Sequence, residues 1–301
     1  MSNDVATKQE AVKISTYLSN DKVQGYLNGV IGSKKDKFVT NLVSAVNQNP
    51  SLQTCTNQSL ISGALVASTL NLSLNKSFGY AYLVPYHKKD RQGNIIQTDA
   101  QFQIGYKGYI QLAMRTGEYQ RLNAVPIYKS QFLGWNALTE DLKVNDIDDF
   151  QEDEIVGYVS YFRLNNGFEK TMFWSYQKMM KHADTYSQAF SEKSYNDLKA
   201  GKITDKDMWK YSSFWYKSFD DMALKTMLRQ LLSKYGILSE EMQKAYEFDQ
   251  SVIVDNKPQY ADRSNDDEVI DQIDPLAIEH VEVIEDEPKK PRTQVNLNDV
   301  G

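Results

Sequence analysis

Apolar positions change period several times along the chain. From Lys37 the spacing of Phe38, Leu42, Val43 and Val46 is helical, and it stops at Asn49–Pro50. A second helix is expected from Asn57, a candidate N-cap, with Leu60, Ile61, Ala64, Leu65 and Ala67 on its buried side. In Gly79–Tyr86 the period drops to two: Tyr80, Tyr82, Val84 and Tyr86 share one parity, and Ala81, Leu83 and Pro85 the other. Phe102, Ile104 and Tyr106 alternate in the same way, and a polar connection through Gly93–Asn94 joins the two runs as a long hairpin. Lys107–Arg115 returns to helical spacing, with Gly117 placed to end it. Strand signals resume in Leu122–Tyr128 and Ile155–Leu164, and Asn165–Asn166–Gly167 turns the second of these into Phe168–Trp174. From Ser175 to about Phe248 the pattern is helical, with Leu224, Leu228, Leu231, Leu232 and Tyr235 on one face of a long helix. The expected fold class is α+β, a central antiparallel sheet flanked by helices with a helical C-terminal part.

Three regions follow from the same pattern. Residues 1–32 form a weakly amphipathic helical arm, and 33–248 the core that carries the strands and the longer helices. Residues 249–301 are acidic, poor in aromatics and aperiodic, and are expected to be a flexible, partner-binding tail. No apolar run approaches the ~18 residues of a membrane span, and the start MSNDVATKQE is too polar for a secretory signal. The single cysteine, Cys55, fits a reducing compartment, so a cytoplasmic chain without membrane association is expected.

Charge sharpens the division. The net charge of −6 suggests an acidic protein, yet residues 251–301 hold 13 Asp/Glu and 5 Lys/Arg, while residues 34–129 hold 4 acids and 11 bases. A basic core beside an acidic tail points to a polyanionic partner. Catalytic equipment is not visible: there is no GxxxxGK[ST] phosphate loop, no GxSxG and no HExxH. Three scattered histidines and one cysteine make no zinc spacing, and no cofactor is implied. The acids at 146, 148, 149 and 152–154 would have to converge from rigid elements to hold Mg²⁺ for a nuclease, and an aperiodic run of like charge is expected to be a solvated loop instead.

What the sequence does offer is cations interleaved with aromatics, the composition of a single-strand binder. Tyr80, Tyr82 and Tyr86 lead to His87, Lys88, Lys89 and Arg91 at the hairpin tip. Lys107, Gln111 and Arg115 fall at i, i+4 and i+8 on one helix face, with Tyr109, Leu112 and Ala113 opposite. Gly105 and Gly108 flank Lys107 and allow a close approach to another chain or a phosphate. Arg121 and Lys129 bracket a strand and would extend a cationic groove, and Lys178 and Lys181 repeat the helical spacing further on. Lys217, Lys225 and Arg229 form one more stripe, in which Asp221 is the natural partner of Lys225. Trp135, Trp174, Trp209 and Trp215 are expected to anchor cores rather than stack on bases.

The string LNLSLNKSFGYAYLVPY followed by AQFQIGYKGYIQLAMRTGEY resembles the RecT family of phage and prophage single-strand annealing recombinases, and the likeness spans about residues 34–245. That resemblance implies a non-catalytic protein that binds single-stranded DNA and anneals complementary strands through a duplex intermediate without ATP. It also implies a homo-oligomer, as ring or helical filament, with a β-β-β-α core. The implied partners are a phage 5′→3′ exonuclease and the host single-strand-binding protein in the bacterial cytoplasm. Carried onto this chain, GYKGY and the following helix lead the DNA-site candidates, chiefly Lys107 and Arg115. Two other classes remain as alternatives: a DNA-independent phage assembly oligomer and a Mg²⁺-dependent nuclease.

Overall fold

The four-residue spacing of Phe38, Leu42 and Val46 puts all three on the buried side of helix α3 (Lys35–Gln48), which ends before Asn49–Pro50 as the pattern requires. The computed structural model describes residues 13–145, 152–187, 189–254 and 257–260. Two shorter helices, α1 (Ile14–Leu18) and α2 (Asp21–Ile31), precede α3. Their Ile14, Leu18 and Leu27 are buried in the same core as α3, so this part of the expected arm belongs to the packed body. Residues 1–12 lie outside the described residues. Helix α4 (Asn57–Thr69) follows, with Thr56 rather than Asn57 at the cap position; the Thr56 hydroxyl donates to Asp99 at 2.7 Å.

The first hairpin forms as its alternation predicts. Strands β1 (Ala81–Lys89) and β2 (Ile95–Ile104) pair antiparallel, with Ala81 opposite Ile104 and Val84 opposite Gln101. Ala81 and Leu83 are buried; α4 lies so close that a Cβ on Gly63 would stand 2.7 Å from Leu83 Cδ2. Beyond β2 the sheet continues through β8 (Ser251–Val254) and β9 (Lys257–Tyr260), in the order β1-β2-β8-β9. Residues 251–254 and 257–260 of the predicted tail are therefore strands of this sheet. Asp249, Val252 and Ile253 are buried, and strands of four residues are too short for periodicity to announce them. Residues 261–301, the rest of that tail, lie outside the described residues.

A second antiparallel sheet has the order β3-β6-β7, from β3 (Tyr119–Tyr128), β6 (Ile155–Leu164) and β7 (Glu169–Ser175). Helix α6 (Tyr176–Tyr186) comes next, so a β-β-β-α order is present here. A small ribbon interrupts it, β4 (Phe132–Asn136) with β5 (Asp141–Val144), which the sequence pattern does not announce. The single central sheet of the sequence reading is thus divided among two larger sheets and a ribbon, all antiparallel. The acids at 146–151 lie outside the described residues; Glu154 pairs with Lys129 at 3.2 Å.

Four helices complete the C-terminal part: α7 (Glu192–Lys199), α8 (Phe214–Lys217), α9 (Phe219–Tyr235) and α10 (Glu240–Phe248). Helix α9 packs on β3, β6 and β7 and also on α5 (Tyr106–Arg115). It is consequently buried on most of its circumference, and the one-sided face expected from Leu224 to Tyr235 gives way to a wider set that includes Lys225 and Arg229. Leu224 is only half-buried and Tyr235 is 41% exposed. A second core beneath β6 and β7 is built largely of Tyr158, Trp174, Met179, Met180, Phe190, Tyr195, Trp215 and Phe219. Trp174 and Trp215 are core residues as expected, and Trp135 stands against Phe173 at 5.8 Å.

The β2–β8 pairing leads to a truncation prediction. A chain ending at Tyr260 keeps every strand of the first sheet and should melt within a few degrees of the full chain. One ending at Phe248 loses Asp249, β8 and β9 and should lose cooperative thermal unfolding by circular dichroism.

Candidate nucleic-acid interface

The helix after GYKGY is placed by its glycines. A Cβ on Gly105 would overlap the Gly79 carbonyl oxygen, and one on Gly108 would overlap the Tyr80 carbonyl oxygen. The Gly105 N–H donates to Tyr80 O at 3.0 Å, so the first turn of α5 is laid directly on the chain entering β1. The two glycines serve this internal contact rather than the approach of a phosphate or a second chain. The opposite side of α5 behaves as its pattern predicts, with Tyr109, Leu112 and Ala113 buried.

Lys107, Gln111 and Arg115 share a face but divide into three roles. Lys107 is exposed, makes no ion pair among the described residues, and passes its stem over Gly79; its Nζ lies 5.9 Å from the Tyr106 ring centre. Gln111 is half-buried. Arg115 is committed to the protein: its two terminal nitrogens donate to Leu70 O at 2.7 Å and Asn71 O at 2.8 Å. It therefore ties the end of α5 to the segment leaving α4, where Asn71 adopts a left-handed φ of 50°. Two of its five N–H donors are thus used internally, and the exposed side chain keeps three others.

Lys107 and the Tyr82 hydroxyl both come close to Gly79, and further aromatic pairs lie along the same stretch of chain. Tyr80 stacks on Phe78 with ring centres 5.7 Å apart, and Phe78 is 50% exposed. Tyr82 leans on Phe214 of α8 at 6.2 Å, which brings the exposed Lys217 to the same region. Burial, then the charge of Asp221, pushes the Tyr82 hydroxyl above its ordinary pKa, so it is a neutral donor at any physiological pH. Tyr86 is half-buried further along β1. Phe78 and Phe214 are not among the residues that the sequence pattern singles out. Phe78 falls one residue before the alternating run, while Phe214 meets Tyr82 only through the tertiary fold.

The remaining cations are scattered. Lys88 pairs at 2.8 Å with buried Asp99; burial would raise that carboxyl's pKa, but Lys88, Thr56 and Gln97 together hold it below the usual range. Lys89 and Arg91 are exposed at the turn. Arg121 is exposed opposite Arg163, and Lys129 faces Glu154 at 3.2 Å. Eight residues of strand separate Arg121 from Lys129, roughly 26 Å, so they flank no common narrow groove. Lys178 lies over the Trp174 ring at 4.4 Å, and Lys181 is exposed one turn on.

Two candidates are corrected outright. Lys225 and Arg229 are 5% and 8% exposed, and neither reaches solvent as a phosphate ligand would need to. The expected Asp221–Lys225 pair does not form; Lys225 turns inward and donates to Asp249 at 3.2 Å. That carboxylate, fully buried, also accepts from the Tyr109 hydroxyl and the Ile104 N–H, both at 2.8 Å. Burial drives the Lys225 pKa down against the pull of Asp249. The helical spacing was right, but the helix carrying it is wrapped on nearly all sides.

An exposed lysine beside partly exposed aromatic rings is a pairing that single-strand binders use. Comparison with known proteins gives the family: a model of the RecT family matches residues 36–266, and this chain belongs to that family. It is 35% identical over 298 residues to the uncharacterized protein YqaK of Bacillus subtilis (strain 168), covering 94% of this chain and 93% of that protein. To Protein RecT of Escherichia coli (strain K12) it is 22% identical over 215 residues, 71% of each chain. Family membership makes it a DNA-binding protein of phage-type recombination, a family of annealing proteins rather than catalysts. Among the described residues no helix is long and apolar enough to cross a membrane.

Proposed function

We propose that this chain binds single-stranded DNA and anneals complementary strands without ATP, as a homo-oligomeric ring or filament. The observation that carries the reading is Lys107: an exposed cation with no ion pair among the described residues, its stem against Gly79 beside the Tyr82 hydroxyl and its Nζ 5.9 Å from the Tyr106 ring centre. Lysine holds a strand by its phosphates without reading sequence, which leaves base edges free to test a second strand. Duplex formation supplies the driving force, with stacking worth ~1.4 kcal/mol per step, so nucleotide hydrolysis is unnecessary. A phage 5′→3′ exonuclease would supply the single strand in the bacterial cytoplasm, and the host single-strand-binding protein would be met there.

FRET between two labelled complementary oligonucleotides, without nucleotide, tests the reading. Wild type should accelerate annealing. Lys107→Ala should weaken single-strand binding to a similar degree on all sequences and make the salt dependence shallower by about 0.7, the single-strand value for one phosphate contact. Arg115→Ala should instead lower the melting temperature, because it frees Leu70 O and Asn71 O. Failure of wild type to accelerate annealing at concentrations where it assembles would leave a DNA-independent assembly protein as the better reading. Loss of oligonucleotide in Mg²⁺, reversed by EDTA, would favour a nuclease; among the described residues no group of three or more His, Cys, Asp or Glu side chains is placed to hold a metal.

A further inference from the structure

Between α3, the end of α4 and the irregular segment 70–80 lies a groove of about 580 Å³ that none of the sequence-derived candidates except Tyr80 lines. Lys34 and Lys37, just before and in α3, line it together with Asn71, Asn75, Phe78 and Tyr80 of the segment that follows α4. Its lining includes no Asp or Glu, in a chain whose acids outnumber its bases by 40 to 34. Both lysines are exposed, and neither makes an ion pair among the described residues.

The segment is held in shape rather than draped. Ser73 Oγ accepts from the Asn75 N–H, Asn75 Oδ1 accepts from the Ser77 N–H, and Asn75 O accepts from the Phe78 N–H. Arg115 grips its start at Leu70 and Asn71. The same segment runs on into Gly79, over which Lys107 passes, so groove and lysine share one stretch of backbone.

We propose that this groove seats an unpaired stretch of single-stranded DNA, its phosphates on Lys34 and Lys37 and a base on the free face of Phe78. The proposal rests on the single-strand reading above and locates the strand within it. The volume is that of a small-ligand cleft, enough for a nucleotide or two. A side-chain ring can stack only on a base whose own plane is uncovered, and inside a duplex both faces of a base are already occupied by neighbours. Phe78, half-exposed with its other face on Tyr80, therefore selects unpaired over paired nucleotides. On annealing, the base must leave Phe78 to enter the new duplex while Lys107 outside the groove can keep its phosphate.

Fluorescence anisotropy with labelled oligo-dT and with a duplex of equal length tests this on the full chain. Lys34→Ala/Lys37→Ala should make the salt dependence of single-strand binding shallower by about 1.4, the value for two phosphate contacts. Phe78→Ala should lose about tenfold in single-strand affinity with an unchanged salt slope and little change for duplex. In wild type, photocrosslinking of an oligonucleotide carrying 5-iodouracil should label a peptide that contains Phe78, a readout independent of variant folding. Groove variants that bind like wild type while Lys107→Ala is weakened would overturn the groove and leave the annealing function standing. Equal losses on single strand and duplex would overturn the selectivity for unpaired bases. A wild type that binds no single strand would sink both.

Discussion

Asp249→Ala should be among the most damaging single substitutions in this chain, lowering unfolding free energy in urea by about 3–5 kcal/mol. One buried carboxylate satisfies Lys225, Tyr109 and the Ile104 N–H at once, and each is left without that partner when it goes. The largest part of the loss is the lysine, an ammonium with no counter-ion in a site already hostile to charge. The sign of its pH dependence follows. Folding holds the Lys225 pKa below its ordinary value, so between the two values the unfolded chain binds more protons and stability rises with pH. Removing Asp249 lowers the folded pKa further. The variant's deficit should therefore shrink as pH is raised toward the ordinary lysine pKa, where the ammonium is shed at little cost. A deficit constant with pH would mean that the lost hydrogen bonds, not the buried charge, account for the damage. Asp249→Ala combined with Lys225→Met should recover part of the loss, since the stranded ammonium goes while the buried Arg229 guanidinium nearby still loses the carboxylate.

Gly108→Ala should destabilise by about 2–3 kcal/mol, although alanine is the better helix former by roughly 1 kcal/mol. The new methyl would meet the Tyr80 carbonyl oxygen and Ile104 Cγ2, the first of which is backbone that cannot rotate away. Helix α5 would have to lift from β1, moving Lys107 off Gly79, so single-strand affinity measured in native buffer should fall along with stability. Gly25→Ala is the control. It lies inside α2 with nothing within 4 Å of the new carbon, and should stabilise by roughly 0.5–1 kcal/mol. Opposite signs for the two glycines, read from chemical denaturation, would establish that contact rather than helix propensity decides the first. A neutral Gly108→Ala would refute the close docking of α5.

Strong periods read well from sequence. Strand β6 has the limits its alternation implies, and the turn at Asn165–Asn166–Gly167 lies where expected, with Gly167 at φ 88°. Helix α5 and its buried face were equally legible. Short elements were not: β4, β5, β8 and β9 span four or five residues each, less than the window over which alternation becomes a signal. The site was legible in part. A period assigns residues to a helix face but is silent on whether that face meets solvent, so it placed Lys225 on an exposed stripe beside Asp221. Only packing separates the exposed cation from the one buried by α9's many neighbours. Arg115 also holds two backbone carbonyls, and the two glycines admit backbone of the chain itself, and no spacing rule contains that information.

Strand β8 joins β2 at Gln101–Val252, two partners some 150 residues apart in the chain. A ribosome adding roughly 5–20 residues per second exposes the β2 edge for on the order of ten seconds before β8 exists. Through that interval the nascent protein carries an open sheet edge and a vacant place for the Asp249 carboxylate, both liable to capture by another chain. Synthesis speed and chaperone supply should thus govern the yield of folded protein more strongly than its final stability does.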